Sequence, residues 1–250
     1  MGVVGVCAIT KKEFVREVFT VPTTPVSATI DLIGVPAVIQ AKENPKIAEI
    51  YNKSTIAAID GMPIVKMGRK KGLACERCSG PDIMGLVFEE SVEKEKTHYF
   101  YGGKNNEVLQ KLRVNLEKDY PGIKIAGMYS PPFRPLTAEE DEIICNQINS
   151  CHPHFLWVGI GAPKQEIWMW EHREKISGTV MLGVGAGFDF IAGTLDKAPA
   201  WVENASLEWL FRLYKEPKRL WKRYILGGIK YLYYSFENAA AMIFSNRARL

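Results

Sequence analysis

Short turns that combine glycine with polar residues follow several β-rich runs of the sequence, and chemistry is expected there. Asp60 and Gly61 follow one run, Gln165 and Glu166 lie just beyond a second, and Asp189 lies in a third glycine-rich turn. Glycines let backbone N–H groups approach a phosphate closely, and helix N-termini favour anions. Any one of these glycines is explained equally well by a tight βα turn. Several on one edge of a sheet favour a ligand that carries phosphate.

The elements that must position these turns alternate between strand and helix patterns. Strands are predicted over 55–59, 98–101, 123–127, 155–160 and 179–184, and helices over 107–120, from a capping box at Thr137 and Glu140, and over 164–175. Buried strands that alternate with helices are typical of a parallel sheet covered on both faces, whose ligands bind at the carboxyl ends of the strands. The predicted fold class is α/β, a Rossmann-like parallel sheet covered by helices.

The composition excludes several classes of protein. The chain has 250 residues, of which 47% are hydrophobic and 24% charged, as in an ordinary folded domain. No apolar run reaches the roughly 18 residues of a spanning helix, and no signal-peptide pattern opens the chain, so a cytoplasmic location is expected. Five cysteines without such a signal predict reduced thiols, and the Cys75-x-x-Cys78 spacing has neither a second pair nor a nearby histidine for zinc.

Known nucleotide and hydrolase motifs are absent. Each of two Gly-x-Gly pairs lacks the third glycine of a dinucleotide fingerprint, because Phe188 and Lys164 occupy its place. The Walker pattern and the Gly-x-Ser-x-Gly elbow are missing, and the four histidines form no convincing triad or zinc set.

The charge is concentrated at the C-terminal end. Residues 207–250 carry nine lysines and arginines against three glutamates, whereas the preceding residues hold slightly more acids than bases. Tyrosine, tryptophan and phenylalanine are interleaved with these cations. This mixture suits an interfacial segment on an anionic membrane surface, and since no RNA-binding motif accompanies it, no nucleic-acid partner is expected.

Read together, the loops resemble the WecG/TagA/CpsF family of glycosyltransferases over roughly residues 36–232. The resemblance is carried by the blocks Asp60-Gly-Met-Pro63, Glu76-Arg-Cys-Ser-Gly-Pro-Asp82, Gly159-Ile-Gly-Ala-Pro-Lys-Gln-Glu166, Gly185-Ala-Gly-Phe-Asp-Phe190, Leu207-Glu-Trp-Leu-Phe-Arg-Leu213 and Arg219-Leu-Trp-Lys-Arg-Tyr224.

The resemblance implies an inverting, metal-independent transferase without a cofactor. Its donor would be a UDP-sugar, commonly UDP-N-acetylmannosamine, and its acceptor an N-acetylglucosamine on undecaprenyl diphosphate, for teichoic acid or another surface polysaccharide. It also implies a peripheral enzyme on the inner face of the bacterial membrane and allows a homo-oligomer. The expected division is a Rossmann-like core over 1–206 and a basic, aromatic, helical appendage over 207–250.

Roles for individual residues follow from the same resemblance and from the chemistry. An inverting transfer needs a base opposite the leaving diphosphate, and Asp60 is the candidate, although it could instead cap a turn. Arg212, Arg219 and Arg223 recur along one predicted helical face and are assigned to the diphosphate; a solvated basic face is the alternative. Arg77 is a lesser candidate for a phosphate or acceptor contact.

The remaining candidates are polar residues of the other turns. Gln165 could bind the donor sugar or uridine, and Glu166 could do so or start a helix. Asp189 could bind the sugar or serve as a structural acid.

Upstream of these turns the chain departs from the family pattern. The family's Thr-x-Asn element, counted back from Asp60, would place its asparagine at Gly34. A non-catalytic sugar-nucleotide or lipid-binding protein on the same fold is therefore the alternative hypothesis.

Overall fold

A computed structural model describes residues 3–199, 201–202, 207–221, 227, 230 and 242–245. Eight parallel strands form one sheet in the order β5-β4-β6-β7-β2-β3-β1-β8. The strands are β1 (Val4–Cys7), β2 (Ala28–Ile33), β3 (Ile56–Ile59), β4 (Thr97–Gly102), β5 (Lys124–Tyr129), β6 (Phe155–Gly159), β7 (Val180–Gly183) and β8 (Met242–Ser245). The predicted α/β class with a parallel sheet is confirmed.

Helices cover both faces of the sheet. They are α1 (Lys11–Val18), α2 (Val35–Glu43), α3 (Pro45–Lys53), α4 (Met62–Lys70), α5 (Gly80–Glu93), α6 (Asn106–Asp119), α7 (Ala138–Cys151), α8 (Lys164–His172), α9 (Gly187–Ile191), α10 (Glu208–Lys215) and α11 (Pro217–Trp221). The predicted capping box starts α7, since the Thr137 hydroxyl accepts from the Glu140 N–H at 3.2 Å and the Glu140 carboxylate accepts from the Thr137 N–H at 2.9 Å.

The core lies on the two faces of the central strands. Phe100 and Trp157 of β4 and β6 are fully buried on one face with Phe88 of α5 and Phe188 of α9. Burying each such side chain stabilises the fold by about 1.5–3 kcal/mol. The helices are therefore held rigidly against the strands, which fixes the loops at the carboxyl edge of the sheet.

The N-terminal residues supply strands that the sequence analysis did not predict. β2 lies between β7 and β3, and β1 lies on the other side of β3. Their apolar residues are buried, as in Ile30 and Ile33 of β2. The segment is thus part of the sheet that carries Asp60 at the end of β3.

The C-terminal segment is only partly described. Helices α10 and α11 lie within the segment predicted as a helical appendage, which stays a prediction, and residues 242–245 form strand β8 beside β1, where helix was expected. The apolar run Met242-Ile-Phe pairs in register with the open edge of β1, which offers unpaired backbone donors and acceptors. Within the described ranges no helix is both long and apolar enough to cross a membrane.

Candidate functional site

A cleft of about 1630 Å³ runs along the carboxyl edge of the sheet. It is bordered by the loops that follow β2, β3, β4, β6 and β7 and by one face of α10. Six of the predicted site residues line it, namely Asp60, Arg77, Gln165, Glu166, Asp189 and Arg212. The structure therefore brings together residues from five separate segments of the chain.

Glycines bring the backbone of neighbouring loops together at the floor of the cleft. Gly102, with φ of 133°, ends β4 so close to β6 that a Cβ on it would lie 2.5 Å from the carbonyl carbon of Gly159. Gly185, with φ of 54°, follows β7 and adopts a left-handed conformation that favours glycine. A side chain at Gly102 would clash with the β6 backbone, and one at Gly185 would be strained, so glycine is favoured at both positions.

Asp60 lies directly after β3, where its backbone N–H donates to the Ile33 carbonyl at 3.0 Å. Gly61 then begins α4, so the carboxylate lies at a helix N-terminus. The side chain is 35% exposed but lies deep in the cleft with protein on most sides. This desolvation raises the pKa of Asp60 to about 7, although the nearby charge of Arg77 opposes the change. Such a pKa suits a general base near neutral pH.

Arg77 holds Asp60 in place. Its Nε donates to the main-chain oxygen of Asp60 at 2.8 Å, and its Nη2 lies 3.4 Å from Oδ1 of the same residue. Nη2 also lies 2.5 Å from Oε2 of Glu208, which starts α10. Arg77 thus contacts two carboxylates of the protein, and its predicted contact with a phosphate or the acceptor stays a prediction. Glu208 was not predicted as a site residue, although it lies within the Leu207–Leu213 block.

Arg212 reaches the cleft from the next turn of α10. Its guanidinium lies 5.6 Å from the centroid of the Phe190 ring. Its Nε is buried without a hydrogen-bond partner among the described residues. A buried donor without an acceptor is costly, so this atom fits an anionic ligand that occupies the cleft.

Gln165 uses its side-chain amide to connect two loops. Its Oε1 accepts from the Gly185 N–H at 3.0 Å, and its Nε2 donates to Oε1 of Glu166 at 3.0 Å. The amide lies against Gly183, where a Cβ would come within 2.9 Å of Nε2. Gln165 therefore fixes the turn after β7, and a lone pair of Oε1 and an N–H of Nε2 remain for a ligand.

Glu166 and Asp31 form a pair of buried carboxyl groups beneath the cleft. They are 2% and 1% exposed, and the Ser54 hydroxyl donates to Asp31. Burial, reinforced by the charge of Glu166, raises the pKa of Asp31, so it holds a proton at neutral pH. Sequence reasoning missed Asp31. Its signal is a lone carboxylate in the apolar run Ala28–Ile33 that became β2.

Asp189 lies in α9 and is partly exposed to the cleft. Its Oδ1 accepts from the Thr194 hydroxyl at 3.2 Å, and its main-chain oxygen accepts from the N–H of Thr194 at 2.9 Å. These hydrogen bonds connect Asp189 to Thr194, and the other carboxylate oxygen of Asp189 accepts no hydrogen bond from the residues that the structure describes.

The other two predicted arginines lie at or beyond the limit of the description. Arg219 belongs to α11, but only its backbone is described. Arg223 lies outside the described residues. At Gly34, where the family asparagine was expected, β2 ends and α2 begins, and a Cβ would meet only Pro36 at 3.6 Å.

The opposite end of the cleft is aromatic. The rings of Tyr101, Trp168 and His172 are stacked at successive centroid distances of 4.2 Å. Nε2 of His172 and Nζ of Lys175 each lie within 2.9 Å of an Asp141 oxygen. With Cys145, Asp141 and His172 form a group of three potential metal ligands. Both Asp141 oxygens are already paired, so the group is explained by hydrogen bonding.

The Cys75-x-x-Cys78 pair lies near the cleft without taking part in it. Both thiols are buried, and neither forms a disulfide. Burial raises the pKa of Cys78 to about 12, which leaves it a poor nucleophile and fits the interpretation of its spacing as coincidence.

Taken together, the cleft offers a carboxylate poised to accept a proton and cationic side chains within the same space. Asp60 lies at one end, and Arg212 presents a buried donor beside it. This combination can deprotonate a hydroxyl group and stabilise a departing anion.

Comparison with known proteins gives a family and several relatives. Residues 2–242 match the model of the glycosyl transferase WecG/TagA/CpsF family. An N-acetylglucosaminyldiphosphoundecaprenol N-acetyl-beta-D-mannosaminyltransferase of Bacillus subtilis is 28% identical over 199 residues, which is 79% of this chain and 75% of the relative. Proteins of the same name are 26% identical in Bacillus spizizenii, over 74% of this chain and 69% of the relative, and 30% identical in Staphylococcus aureus, over 69% and 66%.

Proposed function

Because the chain belongs to the WecG/TagA/CpsF family of glycosyltransferases, we propose that it transfers N-acetylmannosamine from a UDP donor to N-acetylglucosamine on undecaprenyl diphosphate. The names of the relatives specify the same sugar and the same acceptor. The observation that carries the proposal is Asp60, at the end of β3, in one cleft with Arg77 and Arg212.

The reaction proposed is an inverting displacement. Asp60 accepts the proton of the acceptor hydroxyl, whose oxygen attacks the anomeric carbon of the donor sugar. The new C–O bond forms on the face opposite the diphosphate, while the bond from the anomeric carbon to the phosphate oxygen breaks. UDP leaves with that electron pair. A carboxylate whose pKa is about 7 supplies a base at neutral pH without a strong penalty for remaining ionised.

The departing UDP requires positive charge, which the arginines would supply without a metal ion. Arg212 lines the cleft, and its Nε is buried without a hydrogen-bond partner among the described residues. We assign Arg219 and Arg223 to the same diphosphate on the basis of the shared sequence block, with no contact described for either. The planar fork of arginine binds phosphate through two hydrogen bonds, so it suits this position.

The donor sugar and nucleoside would lie over the glycine turns. Gln165 retains a donor and an acceptor for them after its contacts with Gly185 and Glu166. Asp189 retains a carboxylate oxygen for a sugar hydroxyl. Glu166 is buried behind Gln165, so we propose that it orients the Gln165 amide and contacts the donor only through it.

Attachment to the inner face of the membrane is proposed for the C-terminal segment. Trp209, Leu210 and Tyr214 of α10 are 44%, 47% and 82% exposed, and cationic residues follow them. Exposed apolar side chains next to cations favour an anionic lipid surface, where the lipid-linked acceptor would be. Sedimentation with vesicles that contain phosphatidylglycerol, and with neutral vesicles as the control, tests the attachment to the membrane.

A homo-oligomer stays a prediction.

The transfer itself is tested by UDP release from UDP-N-acetylmannosamine. The assay includes a short-chain polyprenyl-diphosphate N-acetylglucosamine, and its controls are the same mixture without acceptor and the Asp60→Asn variant. Release that needs the acceptor and falls to background in the variant is expected. Equal release by both proteins would exclude Asp60 as the base. If UDP binds by calorimetry but no UDP-sugar in a panel is turned over, the alternative of a non-catalytic binding protein holds.

A further inference from the structure

One guanidinium lies between two carboxylates at the end of the cleft. Nη2 of Arg77 lies 2.5 Å from Glu208 and 3.4 Å from Oδ1 of Asp60. The first distance is that of a short charge-assisted hydrogen bond, and the second exceeds the usual 2.7–2.9 Å of such a bond. Glu208 therefore has the stronger hold on the cation.

We propose that Glu208 is a positioning residue for the base: it holds the Arg77 guanidinium away from the Asp60 carboxylate, so that Asp60 stays able to accept a proton. The inference rests on the transferase function proposed above and adds a residue to it. Glu208 does not contact the reacting atoms in this scheme and acts through Arg77.

The backbone around Arg77 makes this competition possible. The N–H of Glu76 donates to the carbonyl of Ile9 at 3.1 Å, and the N–H of Cys78 donates to the carbonyl of Ile59 at 2.7 Å. The segment that carries Arg77 is therefore bound to the residues before α1 and to the end of β3. Nε of Arg77 is bound to the main chain of Asp60 at 2.8 Å. The Arg77 side chain is only 17% exposed and is held at Nε, which places Nη2 within 3.4 Å of Asp60 and 2.5 Å of Glu208.

Among the residues that the structure describes, four titratable or charged groups act on Asp60. Arg77 and the buried Cys78 thiol come from the segment before α5, and Glu208 and Arg212 come from α10. The charges of Arg77 and Arg212 lower the pKa of Asp60, while Glu208 and burial raise it. Loss of Glu208 removes a charge that raises the pKa of Asp60, and it lets Arg77 form a full ion pair with Asp60. Both changes lower the pKa of Asp60.

Placing this residue on α10 connects the appendage to the chemistry. Lys215 of α10 pairs with Asp196 at 2.8 Å, and Arg212 lies over Phe190, so α10 contacts both α9 and the segment that follows it. In this position of α10, Glu208 reaches Arg77. The base is therefore tuned by the same helix that brings Arg212 to the cleft.

The test is the pH dependence of kcat/KM for UDP release, whose acid limb reports the base of the free enzyme. In Glu208→Gln the limb should move about one pH unit lower, because a fully formed ion pair lowers a carboxyl pKa by about that much or more. The plateau should fall about threefold, since a weaker base transfers the proton less readily. In Arg77→Gln the limb should move to higher pH. Glu208→Asp, which keeps the charge, should restore most of the wild-type profile.

Direct titration of Asp60 separates this inference from the transferase proposal. In protein labelled with [13C]aspartate, the signal lost in Asp60→Asn is assigned to Asp60 and followed with pH in each variant. Opposite shifts in Glu208→Gln and Arg77→Gln support the inference even if no donor is turned over. An unchanged Asp60 titration in folded Glu208→Gln, or shifts of the same sign in both variants, overturns it. Arg77→Gln decides the matter if Glu208→Gln does not fold.

Discussion

Asp60 and Asp82 lie in neighbouring segments of the molecule and meet opposite electrostatic surroundings. Both carboxylates lie near the start of a helix, Asp60 before α4 and Asp82 in the first turn of α5. Burial alone would raise the pKa of both. In Asp60 it does so, to about 7, whereas in Asp82 hydrogen bonds from Lys197 and Lys11 outweigh it and lower the pKa to about 2.

Part of the difference follows from the number of cations that hydrogen-bond directly to each carboxylate. Asp82 receives two ammonium groups, with Lys197 at 2.6 Å and Lys11 at 2.9 Å. Asp60 shares a single guanidinium with Glu208, which has the closer contact. Burial adds to the contrast, because the Asp60 carboxylate lies deep in the cleft, where desolvation is the largest cause of its raised pKa. The first arrangement stabilises the fold, and the second leaves a carboxylate able to take a proton.

The largest expected effect of this contrast is on activity. Asp60→Asn should lower acceptor-dependent UDP release about 10³-fold, because the amide cannot accept the proton that a general base must take. Asp82→Asn is the matched control and should retain release within about threefold, since Asp82 does not line the cleft. A comparable loss of turnover in both variants would contradict the division of roles.

The same pair should respond oppositely in stability. Since the pKa of Asp60 is raised on folding, its ionised form costs stability as pH rises from the unfolded pKa through about 7. Asp60→Asn should therefore raise the melting temperature at pH 8, whereas Asp82→Asn should lower it. Differential scanning fluorimetry of both variants against wild type measures this.

Features of the fold and of the cleft that depend on residues close together in the sequence could be predicted from the sequence. Local patterns predicted β3 to β7, the capping box of α7 and the loop residues Asp60, Gln165 and Asp189, because strand alternation, caps and glycine turns depend on nearby residues. The structure places these loop residues in one cleft. Their roles in catalysis stay predictions.

The same local patterns could not predict contacts between residues that are far apart in the sequence. β1 and β2 were missed because short apolar runs do not distinguish strand from helix, and only their neighbours in the sheet settle the matter. Glu208 was missed because its meaning depends on Arg77, far away in the sequence. Strand β8 took the place of predicted helix because the edge of β1 accepts it.

The next largest effect concerns the binding of the diphosphate beside Asp60. Arg212→Ala should raise KM for the UDP-sugar about ten- to a hundredfold, because a hydrogen bond to a charged group contributes about 1.5–3 kcal/mol. Lys215→Ala, on the same helix but outside the cleft lining, is the control and should change KM less than about twofold. Equal effects would mean that α10 contributes only through its packing.

A smaller effect is expected on stability at the Asp82 site. Asp82→Asn should reduce the free energy of unfolding by about 1–2 kcal/mol at pH 7, because two charge-assisted hydrogen bonds are weakened. The lowered pKa of Asp82 adds stability above the ordinary aspartate value of 3.8, and that stability is lost as pH falls towards about 2. Urea unfolding at pH 7 and at pH 3 should thus show wild type and variant converging in acid. A constant gap at both pH values would assign the loss to packing.

The smallest effect tests whether cation number is the deciding variable. Lys197 is 52% exposed, so Lys197→Gln should lower the free energy of unfolding by no more than about 0.5–1 kcal/mol. It leaves Asp82 with Lys11 alone, and the pKa of Asp82 should then rise from about 2 towards its ordinary value, as measured by 13C NMR of labelled aspartate. In that variant one cation hydrogen-bonds to Asp82, just as one cation, Arg77, hydrogen-bonds to Asp60 and is shared with Glu208. If its pKa stays near 2, a single lysine suffices, and competition from Glu208 together with burial must account for the contrast with Asp60.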